Sequence, residues 1–413
     1  MPTFEEPSIV PNETNQQIIP VEALTIATPV DESNHRRLWP AVVAACAAIL
    51  PLGSIDAPRA VASQTAAPTN RVNNPPKGAY IAPLLQPQGV AVGQNGTVYW
   101  SNFGNSEVVG QYQTGRKKGE DFVVAGTGVA GALTPGKATK SQINYPISLA
   151  TEGKNILIDD FQNWTIDRVN CAGNISVLAG IAGQSGVPTT GWADKSDLFS
   201  PVGVAADAFG NVYIGDQGAE NGVSDVVEKV SRYGILSIYA GEVANSGAVT
   251  PGPAIGSELN YPQAVAVDRQ GNVYIADSLN GTIDKVRRGI ISVIAGEPGA
   301  GTGAPIPGPA LESPLNSPDG VAVAPNGTVY IADSGQNDIL KVTTRGNLSI
   351  FAGNGDVGPA VAGSAIDSPL YDPVGIAVGP NGSVYVSLTD SNQVVDINPR
   401  GNLSVIASGP QAS

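Results

Sequence analysis

The sequence predicts an all-β protein: a six-bladed β-propeller of four-stranded antiparallel blades, behind a disordered leader and a signal-like segment. Three observations carry this expectation. A motif recurs six times, opening on Pro87, Pro146, Pro201, Pro262, Pro318 and Pro373, at spacings of 59, 55, 61, 56 and 55 residues. A period of this size marks a repeat architecture. Each copy runs from a Val-Ala-Val type strand through a turn to a Val-Tyr-Ile-Ala-Asp type strand and closes on an Ile-Ala-Gly type end, most clearly from Pro262 and from Pro318. The 50 Gly and 33 Pro suit many short strands joined by turns.

Taken from the N-terminus, residues 1–35 are polar, acidic and without hydrophobic periodicity, which reads as a disordered leader. Residues 36–62 begin with Arg36-Arg37, continue through a short apolar run at 38–53 and end at Ala60-Val-Ala62. Basic residues, an apolar core and a small-x-small site are the parts of a secretory signal, so export to the cell envelope or medium is expected. The alternative is a membrane anchor at 38–53, although that run holds Pro40 and Pro51 and is short for the roughly 20 residues a span needs. Residues 63–77 are an Ala/Thr/Asn/Pro-rich linker, and 78–413 are assigned to the propeller.

Within one copy, Gly320–Ala324 is small and apolar throughout, as expected of a strand covered on both faces. Asn326-Gly327 accepts positive φ at little cost and so marks a tight hairpin. Thr328–Asp333, Asp338–Val342 and Leu348–Ala352 supply the second, third and fourth strands. Between copies lie Gly/Pro-rich inserts of about twenty residues, four of which share a pattern: Pro135-Gly-Lys-Ala138, Pro251-Gly-Pro-Ala254, Pro307-Gly-Pro-Ala310 and Gly358-Pro-Ala360. Copies one and six diverge most, with Asn102 and Leu388 in place of the strand-end Asp, and Ala79–Leu85 is expected to add a strand near the seam.

The Tyr-Ile-Ala-Asp strand ends, Lys285-Val286, Lys341-Val342, the Ile-Ala-Gly closes and the Gly-Pro-Ala inserts resemble the NHL-repeat propellers, in their bacterial, exported form, across all six copies. The resemblance implies a scaffold with many functions, so fold follows from it far more directly than activity.

Several function classes are excluded by composition. The net charge is −14, and outside residues 1–62 there are 29 acids against 19 bases. Such a surface repels phosphate backbones, and the starts of the third strands carry Glu107, Thr165, Thr282, Asp338 and Gln393 where RNA-binding relatives commonly carry Arg, so no nucleic-acid partner is expected. The single histidine, His35, precedes the propeller, which removes a Ser-His-Asp triad, a Cys-His nucleophile and histidine-ligated zinc. The propeller lyases similar to this family use histidine as metal ligand or base. Cys171, in a turn, is read as inert, and Cys46 lies in the apolar run, so no disulfide is expected inside the ring.

In a propeller, the loops from strand two to strand three share a face with the connections between blades. That face is expected to receive the long inserts (126–145, 180–200, 241–261, 296–317 and 353–372) and the strand-end acids Asp160, Asp216, Asp277 and Asp333. The acids admit two readings. They form a ring of carboxylates for an amine or for calcium, with Asp216, Asp277 and Asp333 as ligands, or each accepts N–H groups of its own loop. Recurrence at one position favours the second. Trp164 and Trp192, less repetitive than Tyr145, Tyr261 and Tyr371, are expected near the axis as contact residues for a protein, peptide or carbohydrate, together with Asn102 and the Asp ring. Leu388 and the lengthened loop 217–224 are further breaks in the repeat. The resulting expectation is a monomeric, non-catalytic binding module, with membrane contact only through an uncleaved N-terminal segment. The alternative is a calcium-assisted hydrolase, lactonase or lyase acting through axial carboxylates.

Overall fold

The structure is a computed structural model that describes residues 81–218, 225–243, 245–298 and 303–410. The leader, signal and linker assignments at 1–35, 36–62 and 63–77, with His35 and Cys46, lie outside the described residues. Among the described residues no helix is long and apolar enough to cross a membrane.

The described chain is a six-bladed propeller, each blade an antiparallel sheet built from consecutive strands. Blade 5 is representative, with Pro318–Val323, Val329–Asp333, Asp338–Val342 and Asn347–Ala352 running from the axis outward. One addition escapes the four-strand expectation. In blades 2 to 6 a two-residue fifth strand, taken from the insert that precedes the blade, pairs with the outermost strand. An outermost strand otherwise exposes a row of unpaired N–H and C=O groups, and the insert covers part of it.

All five fifth strands begin ten residues before the leading proline and are followed by a buried alanine, at Gly136-Lys-Ala138, Gly191-Trp-Ala193, Gly252-Pro-Ala254, Gly308-Pro-Ala310 and Gly363-Ser-Ala365. The repeating unit is therefore Gly-x-Ala, and in blade 6 it is Gly363–Ala365 rather than the expected Gly358–Ala360. Each alanine N–H donates to the glycine carbonyl of its blade's last hairpin, as from Ala310 to Gly346 at 2.8 Å. In blades 3 to 6 its carbonyl accepts from the preceding blade, as from Gly296 N–H at 3.0 Å, so the insert fastens neighbouring blades together. Five residues before each leading proline a serine hydroxyl closes the insert: Ser141, Ser196, Ser257, Ser313 and Ser368 accept the N–H of Thr134, Thr189, Thr250, Ile306 and Val361.

The core lies between blades. Tyr274, Ala276 and Ile283 of blade 4 pack with Val321, Ile331 and Leu340 of blade 5, and five equivalent clusters complete the circle. Each fully buried Ile or Leu in them contributes about 1.5–3 kcal/mol. At the third position of the inner strand some neighbouring strands approach so closely that only glycine fits. A Cβ on Gly375 would run into the Gln88 carbonyl, and one on Gly320 into the Val374 carbonyl.

The ring closes without strand exchange. Thr389 Oγ1 donates to the Pro87 carbonyl at 2.8 Å, Ser387 Oγ donates to the Gln88 carbonyl, and Asn392 Oδ1 accepts the Gln86 N–H at 2.7 Å. Residues 81–85 form no strand, contrary to expectation, and 79–80 fall outside the described residues. Leu84 instead enters the seam as a buried side chain beside Tyr385 and Val394, at the register where every other insert buries Ile or Leu.

Candidate functional site

The strand-end acids are fully buried, and each clasps the tail of the insert entering its own blade. Asp160 accepts the Asn144 N–H at 2.5 Å and the Asn163 side-chain amide at 2.7 Å. Asp216 accepts the N–H groups of Phe199 and Ser200 at 2.8 and 2.5 Å. Asp277 accepts Asn260 N–H and the Asn280 amide, both at 2.7 Å, and Asp333 accepts Asn316 N–H at 2.8 Å. Asn102 does the same work in blade 1, accepting Leu85 N–H at 2.8 Å and donating to the Pro83 carbonyl at 3.0 Å. Leu388, buried, leaves blade 6 without such a clasp.

A feature not anticipated from the sequence lies beneath three of these acids. The third strands of blades 2, 3 and 4 place buried Asp167, Glu228 and Asp284 diagonally across from Asp160, Asp216 and Asp277 on the same face of each strand pair, where the two carboxyls act on one another. Burial raises the carboxyl of Asp160 to about 6, and those of Asp216 and Asp284 to about 7. Their partners Asp167, Glu228 and Asp277 are pushed well up, by burial first and then by the neighbouring carboxylate. Asp159 is raised by burial and by Asp160 and Asp216, and neither of its carboxyl oxygens has a hydrogen-bond partner. Asp216, Asp277 and Asp333 each stand in a separate blade, facing backbone N–H groups. Among the described residues no three His, Cys, Asp or Glu side chains are grouped to hold a metal ion.

The axis holds a narrow cavity of about 460 Å³ including its open mouth. A register irregularity after each leading proline turns the next residue toward it, so that Gln88, Gln263 and Asp319 line it together with Ile147, Val202 and Val374. Gln217 donates to Gln263, while Ser278 (2.9 Å) and Ser334 donate to Asp319. These residues were missed from the sequence. The available signal was the second position of the repeat, which reads Gln, Ile, Val, Gln, Asp, Val where its neighbours repeat.

The two tryptophans part company. Trp192 is 63% exposed, but it is the x of Gly191-Trp-Ala193, paired with Ile235 at the outer edge of blade 3 and lying beside Gly234. It is therefore at the perimeter rather than near the axis, and it is part of the repeat rather than a break in it. Trp164 stands in the strand-two-to-three loop with φ 54°, in the left-handed position filled by Gly281 and Asn337 in other blades. Of the loop 217–224, residues 219–224 lie outside the described residues. The inserts likewise do not pile onto one face; their middles run over the rim to the fifth strands, leaving their first residues and the strand-two-to-three loops at the axial mouth side. There Val129 (58%), Leu279 (60%) and Val357 (61%) are exposed.

No family model matches the chain. It is 26% identical to mouse teneurin-3 over 221 residues, and to human teneurin-4 over 229. Each match covers 48% of this chain and 8% of the teneurin, so the chain spans a small fraction of the curated relatives it matches. Among solved structures, a Bacteroides thetaiotaomicron protein of unknown function aligns with TM-score 0.54 and 16% identity, over 75% of this chain and 68% of that one. A Xanthomonas campestris gluconolactonase aligns with TM-score 0.50 and 13% identity, over 78% and 87%. At these identities the likeness concerns fold: the chain is a six-bladed β-propeller whose structural neighbours include a lactonase.

Proposed function

We propose that this propeller is a non-catalytic binding module, exported to the cell envelope or medium, that engages a protein or peptide through the face carrying its insert entrances. One observation carries the reading. Inserts held by a fifth strand, a serine hydroxyl and a strand-end acid present Val129 and Val357 to solvent, and the neighbouring strand-two-to-three loop of blade 4 presents Leu279. Large apolar side chains exposed on a rigid platform, surrounded by polar loops, mark interaction surfaces. The strand-end acids, by contrast, are committed to backbone donors and to one another, which disfavours a hydrolase acting through them.

The test is substitution of Val129, Leu279 and Val357 together by Lys, with the circular dichroism spectrum checked for an unchanged fold. Loss of partner binding, read as at least a tenfold weaker Kd (about 1.4 kcal/mol), supports the assignment. Unchanged binding, or calcium-dependent lactone hydrolysis abolished by Asp277→Asn, rejects it.

A further inference from the structure

The third strands of blades 2, 3 and 4 place Asp167, Glu228 and Asp284 opposite Ile158, Ile214 and Ile275. The same register position in blades 1, 5 and 6 is Val109, Leu340 and Val395. One interior site therefore holds an aliphatic side chain in three blades and a carboxyl in three adjacent ones, every one of them buried. Among the described residues no cation pairs with these carboxyls. Side chains alternate across a strand, so the adjacent Arg168, Lys229 and Lys285 face the other way. There Arg168 pairs with Glu152 at 2.8 Å, while Lys229 and Lys285 lie 5.6 and 4.7 Å from the Tyr213 and Tyr274 rings.

The remaining groups acting on the pairs are acidic or neutral. They are Asp159, Asn163 and Thr165 about the first, Asp159 and Asp225 about the second, and Asn280 and Thr282 about the third. Two carboxyls buried side by side without a cation do not both ionise, so one of each pair keeps its proton. In each pair one member is also the clasp on the incoming insert, at Asn144, at Phe199 and Ser200, or at Asn260.

We infer that Asp160–Asp167, Asp216–Glu228 and Asp277–Asp284 form a three-blade proton latch. One shared proton in each pair ties strand two to strand three beneath the insert it clasps, and its loss in alkaline solution loosens the insert attachments of blades 2 to 4. Blade 5 is the internal reference: Asp333 clasps Asn316 in the same way and Leu340 takes the place of the inner acid, while Asp338, opposite Asp333 and raised by burial to about 6, accepts a backbone N–H from Gly355 and is already ionised above pH 7.

The experiment is amide hydrogen exchange by mass spectrometry on the full chain from about pH 7 to about pH 10, corrected for the intrinsic base dependence. Where opening releases one proton, exchange in peptides spanning strands two and three of blades 2 to 4 gains up to about a further tenfold per pH unit, and blade 5 does not. Asp284→Asn flattens the response of blade 4 and leaves that of blades 2 and 3. An equal pH response in blade 5, or an unaltered response of blade 4 in the variant, overturns the latch. Should the variant not fold, infrared spectra of the unsubstituted protein decide. The latch requires a protonated-carboxyl C=O band at neutral pH that fades on alkalinisation, and absence of that band at neutral pH contradicts it.

Discussion

Among single residues, Asp160, Asp216, Asp277 and Asp333 do one job four times: each neutralises backbone donors at the point where an insert re-enters the ring. Asp333→Ala would leave the half-buried Asn316 N–H without its acceptor, at a cost of about 1–3 kcal/mol, which urea denaturation would register as a lower midpoint at unchanged slope. Trp164 is the opposite case. A bulky residue in left-handed backbone costs roughly 1–2 kcal/mol relative to an ordinary conformation, and Asn tolerates that region better. Trp164→Asn is therefore expected to leave the denaturation midpoint unchanged or raised; a fall of more than about 1 kcal/mol would show that the indole is retained for packing. The acid ring and its architectural role were legible in the sequence, because a position repeated in four blades serves what the blades share. The paired acids Asp167, Glu228 and Asp284 were not, because a charged residue inside a strand reads as solvent-facing unless burial on both sheet faces is known.

Among the elements, the four long strands of each blade follow from alternation, β-branched content and Asn-Gly turns, and they stand where the sequence places them. The fifth strand was not legible. Two residues such as Gly252-Pro253 have no periodicity to read, and their pairing is imposed by the open edge beside them. Trp192 was misplaced for the same reason, since a position is recognised as part of a strand only once its partner, Ile235, is known. The serine that closes each insert is a testable part of this device. Ser257→Ala removes both the acceptor of Thr250 N–H (3.2 Å) and the donor to Thr250 carbonyl (3.1 Å). It is expected to cost about 1 kcal/mol and to raise hydrogen exchange in the insert before blade 4 alone. Equal acceleration in the other inserts would mean that the inserts do not open independently.

For the molecule as a whole, the ring is held by cores between blades and closed by inner strands in backbone contact. Gly375→Ala pushes a Cβ into the Gln88 carbonyl at the seam and is expected to lower stability by about 1–3 kcal/mol or more, read by thermal denaturation. The carboxyl pairs give the whole molecule a pH dependence whose sign is set by their direction. Folded Asp160, Asp216 and Asp284 retain protons up to about 6, 7 and 7, whereas an unfolded Asp releases its proton near 3.8. Raised carboxyls contribute stability that is fully present below the unfolded value and lost as pH rises through the folded ones. The urea midpoint is therefore expected to fall from about pH 4 to about pH 7, and a midpoint rising over that window would contradict the burial of these protons.

The most direct test of the central claim, that the acids beneath the insert-bearing face are proton-sharing structural pairs rather than a ligand site, is a neutron structure of the deuterated protein near neutral pH grown with calcium present. A single deuteron is expected between Asp277 and Asp284 and another between Asp216 and Glu228, with no ion beside either. A calcium ion bound by Asp216 or Asp277, or carboxylates without a deuteron between them, would contradict it.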